Sequence, residues 1–289
     1  MKKLMLIINP VAGKKQARRR LAELIRSFME QSWQVTSYIT GKKGEATEFI
    51  LRDGADFDRI VVSGGDGTLN EAVHGLISAG LSTPLGYLPA GSTNDFAEFM
   101  HISPKLLTAA CTAGEGTVRS IDVGCFDGQY FLNIAAFGIF TDVAYSTPQY
   151  LKNAFGLAAY VLDGIKDLSA ARPQEISITV NGETYEGRFI FGAVCNASAI
   201  GGMEVPIRPD DGLLDVFLVR APNSFLEQQL MLRALQNKEY DARYFVYFEA
   251  GSMELRSPKP IHWALDGEHI ITERKWSIEC LPQRLRLVL

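Results

Sequence analysis

The chain has 289 residues, with 29 Lys and Arg against 33 Asp and Glu, a formal charge of −4 and an isoelectric point near 5.7. That balance excludes a nucleic-acid binder held by bulk positive charge. With 47% hydrophobic and 21% charged residues the chain can bury one large core or two of ordinary size, which excludes an intrinsically disordered polypeptide.

The chain opens with Met1-Lys2-Lys3 and an apolar run over 4–8 that stops at Asn9-Pro10. That run is too short for the apolar region of a signal peptide and reads as a first strand. Residues 35–39, 59–62 and 85–88 read as further strands, with helical spacing over 14–30, 45–52 and 68–78 and another helix opening at Phe96. This alternation predicts βαβ units and a mostly parallel sheet whose strand-end loops share one edge. From about Arg119 the pattern becomes β-branched and aromatic. Asp127-Gly128, Asn181-Gly182 and Asp266-Gly267 each lie between strand-like runs, the strongest short signal for a hairpin. Helices over 148–168 and 222–235 interrupt this half. The expectation is an α/β fold in two domains: an N-terminal, mostly parallel-sheet domain over 1–121 and a C-terminal antiparallel, β-rich domain over 122–281. Cys111, Cys125, Cys195 and Cys280 are far apart with no Cys-x-x-Cys pair, as expected of reduced thiols in a cytoplasmic protein. No stretch reaches the roughly 20 apolar residues needed to span a bilayer, so membrane contact is expected to be peripheral.

The segment with the most chemistry is Ser63-Gly64-Gly65-Asp66-Gly67-Thr68-Leu69-Asn70-Glu71, at a strand end and a helix start. Three glycines in four residues let the backbone approach a bulky anion, and the helix start offers unpaired N–H donors. A carboxylate here repels phosphate unless a divalent cation lies between them, so Asp66 points to a magnesium nucleotide. A tight turn with Thr68 as helix cap is the plainer reading of the segment alone. Two more strand-end loops, Asn9-Pro10-Val11-Ala12-Gly13 and Ala90-Gly91-Ser92-Thr93-Asn94-Asp95, place small, amide and hydroxyl residues ahead of helices. Ligands of open α/β sheets bind at that edge. Neither Gly13-Lys14 nor Gly41-Lys42 belongs to a Walker A motif, because Ile8 and Thr36 stand where glycine is needed. The Gly-x-Gly-x-x-Gly dinucleotide fingerprint is absent as well.

Taken in order, these loops, residues 88–97, 121–124 and 131–138, Asp211-Gly212-Leu213-Leu214-Asp215 and Leu265-Asp266-Gly267-Glu268 resemble the diacylglycerol kinase catalytic-domain family, specifically its soluble bacterial lipid kinases. The resemblance spans nearly the whole chain. Gly-Gly-Asp-Gly by itself is shared with NAD kinases and phosphofructokinases. The resemblance implies a β-sandwich-like second domain, with a last strand over about 282–289 returning to the first. It implies ATP contacts at Asn9, Pro10, Val11, Ala12, Gly13, Thr40, Gly64, Gly65, Asp66, Gly67, Thr68, Leu69, Asn70 and the hydroxyl of Ser92. Family members usually carry Ser where Ala12 stands and Thr where Ser92 stands; the first exchange removes one possible phosphate contact. Magnesium would arrive with ATP near Asp66, with Asp95 and Asp122 nearby, and Asp66 and Asp95 are expected to serve catalysis. Glu268 would be the general base toward the lipid hydroxyl. A second cation, tying down the β-rich domain, would take the Asp211 carboxylate and the backbone carbonyls of Arg208 and Leu213.

The expected function is therefore an ATP- and magnesium-dependent kinase of diacylglycerol or a related membrane lipid, peripheral to the inner face of the membrane. The alternatives are a NAD kinase-like enzyme, a sphingoid-base kinase, or a non-catalytic nucleotide or lipid sensor of the same fold. Lys14, Lys15, Arg18, Arg19 and Arg20 on one helix start can meet phosphates or anionic head groups, or simply face water. Residues 150–168 offer apolar and lysine side chains to a bilayer or to a neighbouring sheet. His74, His101, His262 and His269 show no metal-ligand spacing. A sheet edge in the β-rich domain leaves a homodimer open, and no nucleic-acid partner is expected.

Overall fold

A computed structural model of the chain describes residues 1–13, 16–138, 172–197, 207–237, 239 and 241–289. The expected helix over 148–168, with its proposed bilayer contact, and the side chains of Lys14 and Lys15 lie outside the described residues. The chain divides into a unit of Met1–Val123 with Pro282–Leu289 and a unit of Gly124–Leu281.

The first unit comprises β1 (Lys2–Ile8), α1 (Gln16–Arg19), α2 (Leu21–Glu30), β2 (Trp33–Ile39), α3 (Glu45–Asp53), β3 (Arg59–Gly64), α4 (Asp66–Ser78), β4 (Leu85–Pro89), α5 (Asp95–Phe99), α6 (Leu106–Glu115) and most of β5 (Val118–Phe126). Its strands run β4-β3-β1-β2, every pair parallel. Leu4, Met5, Leu6, Ile7 and Ile8 of β1 are all buried, as a parallel strand covered on both faces must be. Leu24 and Phe28 of α2 and Ala109, Ala110 and Ala113 of α6 pack onto β1 around Leu4, Leu6 and Ile8. The buried Arg59 of β3 caps the C-terminal end of α6, donating from Nη1 to the carbonyls of Ala113 (2.7 Å) and Gly114 (3.1 Å). The expected 14–30 helix breaks at Arg20 into α1 and α2, and α6 carries helical structure past the short helix that Phe96 was expected to open.

The second unit contains β6 (Gln129–Phe131), β7 (Ile134–Gly138), β8 (Gln174–Val180), β9 (Glu183–Cys195), β10 (Leu214–Arg220), α7 (Phe225–Gln236), β11 (Phe245–Ala250), β12 (Ser252–Arg256), β13 (His262–Leu265) and β14 (Glu268–Ile271). The last strand, β15 (Lys275–Val288), begins here and enters the first unit at Pro282, where Leu287 pairs with Leu85 in parallel. Pairing within the unit is antiparallel, the long β9 meeting β7, β8 and β10. One face of this β-sandwich-like unit buries Phe126, Phe131, Phe137, Phe189, Trp263 and Trp276, with Trp263 4.7 Å from Phe137 between ring centroids. The other packs Phe191, Phe217 and Val219 with Met231 and Ala234 of α7. All three turn pairs read from the sequence have both residues at positive φ, as two-residue hairpin turns require: Asp127 and Gly128, Asn181 and Gly182, Asp266 and Gly267. The helix expected over 222–235 starts at Phe225, capped by the Ser224 hydroxyl, which accepts the Glu227 N–H (3.2 Å), while the Glu227 carboxylate accepts the Asn223 N–H (2.6 Å). Among the described residues no helix is long and apolar enough to cross a membrane.

Candidate active site

Because β1, β2, β3 and β4 run parallel, the loops at their C-terminal ends share one edge, and main-chain hydrogen bonds lace them together. Asn9 N–H donates to the Ser63 carbonyl (2.9 Å), Thr40 N–H to Ile8 (2.9 Å) and Ala90 N–H to Gly64 (2.7 Å). The Asn9 carboxamide then bridges two loops, its Nδ2 donating to the Thr68 hydroxyl (3.0 Å) and its Oδ1 accepting the Val11 N–H (3.1 Å). Backbones pass so closely that side chains have no room. A Cβ on Gly91 would stand 2.6 Å from the Gly65 Cα, and one on Gly13, whose φ is +45°, would stand 2.2 Å from the Ala90 carbonyl oxygen. Among the described residues a Cβ on Gly67 would meet nothing within 4 Å, so their packing does not explain the glycine there.

The helix at the centre of this edge begins two residues before the expected start, with Gly65 as N-cap and Asp66 in its first turn. Thr68 and Leu69 donate to the Gly65 carbonyl (3.0 and 3.1 Å). The donors left to the first turn among the described residues are those of Asp66 and Gly67. Thr68 and Leu69 are buried, and the Thr68 hydroxyl serves the loop contact with Asn9. Thr40 is also buried, and its hydroxyl turns back to the Ile8 carbonyl at 3.4 Å. Pro10 and Ala12 are half-buried, while Val11, Gly13 and Ser92 are exposed on the rim.

Asp66 is held by one oxygen only. Its Oδ2 accepts the Thr93 hydroxyl (3.3 Å) and the Asp95 N–H (3.2 Å), while its Oδ1 is sealed from solvent and accepts nothing among the described residues. The Oδ1 of Asn70, one turn along α4, is in the same condition. Two such oxygens suit a hard cation, whose ligands are carboxylate and carboxamide oxygens. Asp122 is fully buried, and its carboxylate accepts the Gln283 N–H at 2.6 Å, anchoring the start of the returning strand segment. Glu71 serves the fold, its backbone carbonyl accepting the Thr47 hydroxyl at 2.7 Å and its carboxylate the Ala46 N–H at 3.3 Å.

Asn94 and Thr93 of the β4 loop, which the sequence offered only as amide and hydroxyl groups, and Tyr87, which it did not single out, shape this edge. Asn94, at φ 59°, folds the β4 loop onto itself, accepting the Gly91 N–H (2.8 Å) and donating to the Gly91 carbonyl (3.2 Å). Thr93 supplies the hydroxyl on Asp66. The buried Tyr87 places its hydroxyl 3.3 Å from the Gly64 carbonyl and 3.4 Å from Asn94 Oδ1. Burial, then the charges of Asp66 and Asp95, push its pKa well above the ordinary phenol value, so it stays a neutral donor. A left-handed Asn before a helix is the one signal visible in sequence, since Asn tolerates that conformation better than most residues.

In the second unit Glu268 is exposed, as the first residue of β14 opposite Leu265. The turn that presents it is clamped by Asp266, whose carboxylate accepts the N–H groups of Leu132 (2.6 Å), Asn133 (2.9 Å) and Ile134 (2.9 Å). In the candidate cation turn, Asp211 accepts the Leu213 N–H at 3.1 Å and lies 3.6 Å from the Arg208 guanidinium. Among the described residues no three His, Cys, Asp or Glu gather as a metal-binding group.

Residues 3–126 match the diacylglycerol kinase catalytic domain, and residues 135–289 match the YegS C-terminal NAD kinase beta sandwich-like domain. The chain is 33% identical over 278 residues to a diacylglycerol kinase of Bacillus subtilis, covering 93% of this chain and 90% of that one. It is 29% identical over 274 residues to a diacylglycerol kinase of Staphylococcus carnosus, covering 93% and 89%. Two Bacillus anthracis str. Sterne crystal structures that carry the diacylglycerol kinase name superpose with TM-scores of 0.81 and 0.76, at 25% and 22% identity. They cover 99% of this chain and 96% of each of those; the second likeness bears on the fold alone.

Proposed function

The chain belongs to the diacylglycerol kinase family, a family of lipid kinases, and from that premise we propose that it transfers the γ-phosphoryl group of ATP, with magnesium, to the hydroxyl of diacylglycerol or a closely related membrane lipid. The observation that carries the nucleotide half of this reading is the rim at the strand ends: a backbone-only approach at Gly67 beside an Asp66 oxygen sealed from water and without a hydrogen-bond partner among the described residues.

In this mechanism Asp66 and Asn70 would hold the cation, and Asp95 would add negative charge beside it. Magnesium, when bound, neutralises phosphate charge as it spreads in the transition state. The N–H groups of Asp66 and Gly67 would donate to phosphate oxygens, as helix starts do. Asn9 keeps the first loop against Thr68, so the phosphate-facing backbone is set before substrate arrives. Ala12 adds no hydroxyl, leaving Ser92 as the side-chain hydroxyl on the rim assigned to ATP. Glu268 takes the proton from the acceptor hydroxyl, and Asp266 fixes the turn that carries it. We assign Asp211, with the Arg208 and Leu213 carbonyls, to a cation that steadies its turn; no chemical step passes through it.

The test is incubation with γ-labelled ATP, magnesium, NAD and fractionated lipids dispersed in detergent. Label in a lipid phosphate supports the reading. Label in NAD instead, or in no acceptor across a broad lipid panel, overturns it.

A further inference from the structure

Within the second unit, the segment joining β6 to β7 is gripped from two sides. The Asp266 carboxylate takes the N–H groups of Leu132, Asn133 and Ile134. On the other side, the Asn133 carbonyl accepts the N–H groups of Asn196 (2.9 Å) and Ala197 (3.4 Å), and Asn196 Nδ2 donates to the Leu132 carbonyl (3.0 Å). Both backbone groups of Asn133 are therefore spent, and the residue is only 7% exposed. Its carboxamide oxygen is sealed from solvent and accepts no hydrogen bond among the described residues.

Buried polar atoms in native structures are nearly always paired, because an unpaired one loses its water without recompense. Phe131, Leu132 and Ala135 around this position are apolar and buried, so a leucine would suit the local packing better than an amide. Among the described residues nothing uses the Asn133 carboxamide oxygen. The same clamp that fixes Asn133 also fixes the hairpin turn, and Glu268 follows Asp266 by two residues.

We propose that Asn133 is an acceptor-binding residue, its carboxamide hydrogen-bonding the hydroxyl of a lipid alcohol beside the hairpin that carries Glu268. The inference rests on the lipid kinase reading above. A hydroxyl both donates and accepts, and a carboxamide sets an acceptor and a donor side by side. An acyl ester has no donor and cannot satisfy Oδ1, so the group recognised is the alcohol rather than the ester. Backbone locked at both of its polar groups keeps the carboxamide in place before the lipid arrives.

The test compares dioctanoylglycerol with 1,2-dioctanoyl propanediol, which lacks the hydroxyl, by quenching of intrinsic tryptophan fluorescence in detergent micelles without ATP. Wild type is expected to bind the alcohol about tenfold more tightly, and Asn133→Leu to erase that preference while keeping or raising Tm. Should Asn133→Leu not fold, Asn133→Ala is read the same way. Equal binding of the two lipids by wild type, or a preference that survives in the variant, overturns the inference. Label transfer run in parallel separates this from the premise. Wild type that prefers the alcohol but phosphorylates no lipid removes the kinase reading and leaves the hydroxyl site. Phosphorylation with unchanged lipid KM in Asn133→Leu removes the site alone.

Discussion

Gly67→Ala separates the demands of the fold from those of the ligand. Gly67 is the second residue of α4 and has open space where a Cβ would project. Alanine in a helix is favoured over glycine by about 0.5–1 kcal/mol, because less backbone entropy is lost on folding. At roughly 2–4 °C per kcal/mol for a chain of this size, Tm should rise by about 1–4 °C. If the open space is where phosphate approaches the backbone, the added methyl stands in the way, and magnesium-ATP should bind about tenfold or more weakly, roughly 1.4 kcal/mol. Thermal denaturation with and without magnesium and a non-hydrolysable ATP analogue reads both quantities at once, since the ligand-induced Tm shift shrinks as Kd rises. A variant that is more stable yet binds the analogue like wild type would refute the assignment of this rim to phosphate. Loss of stability would refute the reading of the space as open. Gly91→Ala is the control, because its Cβ would press on the Gly65 backbone at 2.6 Å and should cost about 1–3 kcal/mol of stability.

Asp266→Ala removes the acceptor for three N–H groups and should destabilise the protein by about 2–4 kcal/mol, measured by urea denaturation; an unchanged midpoint would contradict the clamp. Glu268→Gln should lower turnover about 100- to 10,000-fold with magnesium-ATP affinity kept, and near-normal turnover would remove Glu268 from the mechanism. Cys111 is exposed while Cys125, Cys195 and Cys280 are buried, and burial pushes the Cys125 and Cys195 thiols up. One fast equivalent with a thiol reagent is expected in the native protein, the rest reacting only on unfolding; two or more fast equivalents would contradict the packing of the core.

Local signals in the sequence located the elements where they set backbone conformation directly. The Asp-Gly and Asn-Gly pairs marked three hairpin turns because only a few residues tolerate two successive positive φ angles. The buried run of β1 and the glycines after β3 placed the loops on one edge, because a parallel sheet leaves them no other. Helix starts were less legible: α4 begins at Asp66, since Gly65 serves as N-cap and leaves the expected cap, Thr68, inside the first turn. The alanine-rich α6 lacked a strong polar face to mark its periodicity. What the sequence concealed were contacts between residues distant in the chain. Asp266 looked like half of a turn, yet its carboxylate holds a segment more than a hundred residues earlier. Tyr87 lay unremarked within the strand expected over 85–88, and its contact with the Gly64 carbonyl depends on how β3 and β4 align.

Titration of magnesium-ATP into wild type and Asp66→Ala by calorimetry tests most directly whether a cation held at Asp66 couples the nucleotide to the glycine rim. Wild type should bind ATP with magnesium and lose most of that affinity in EDTA, and Asp66→Ala should bind weakly under both conditions. Equal, magnesium-independent binding by the two proteins would contradict the account.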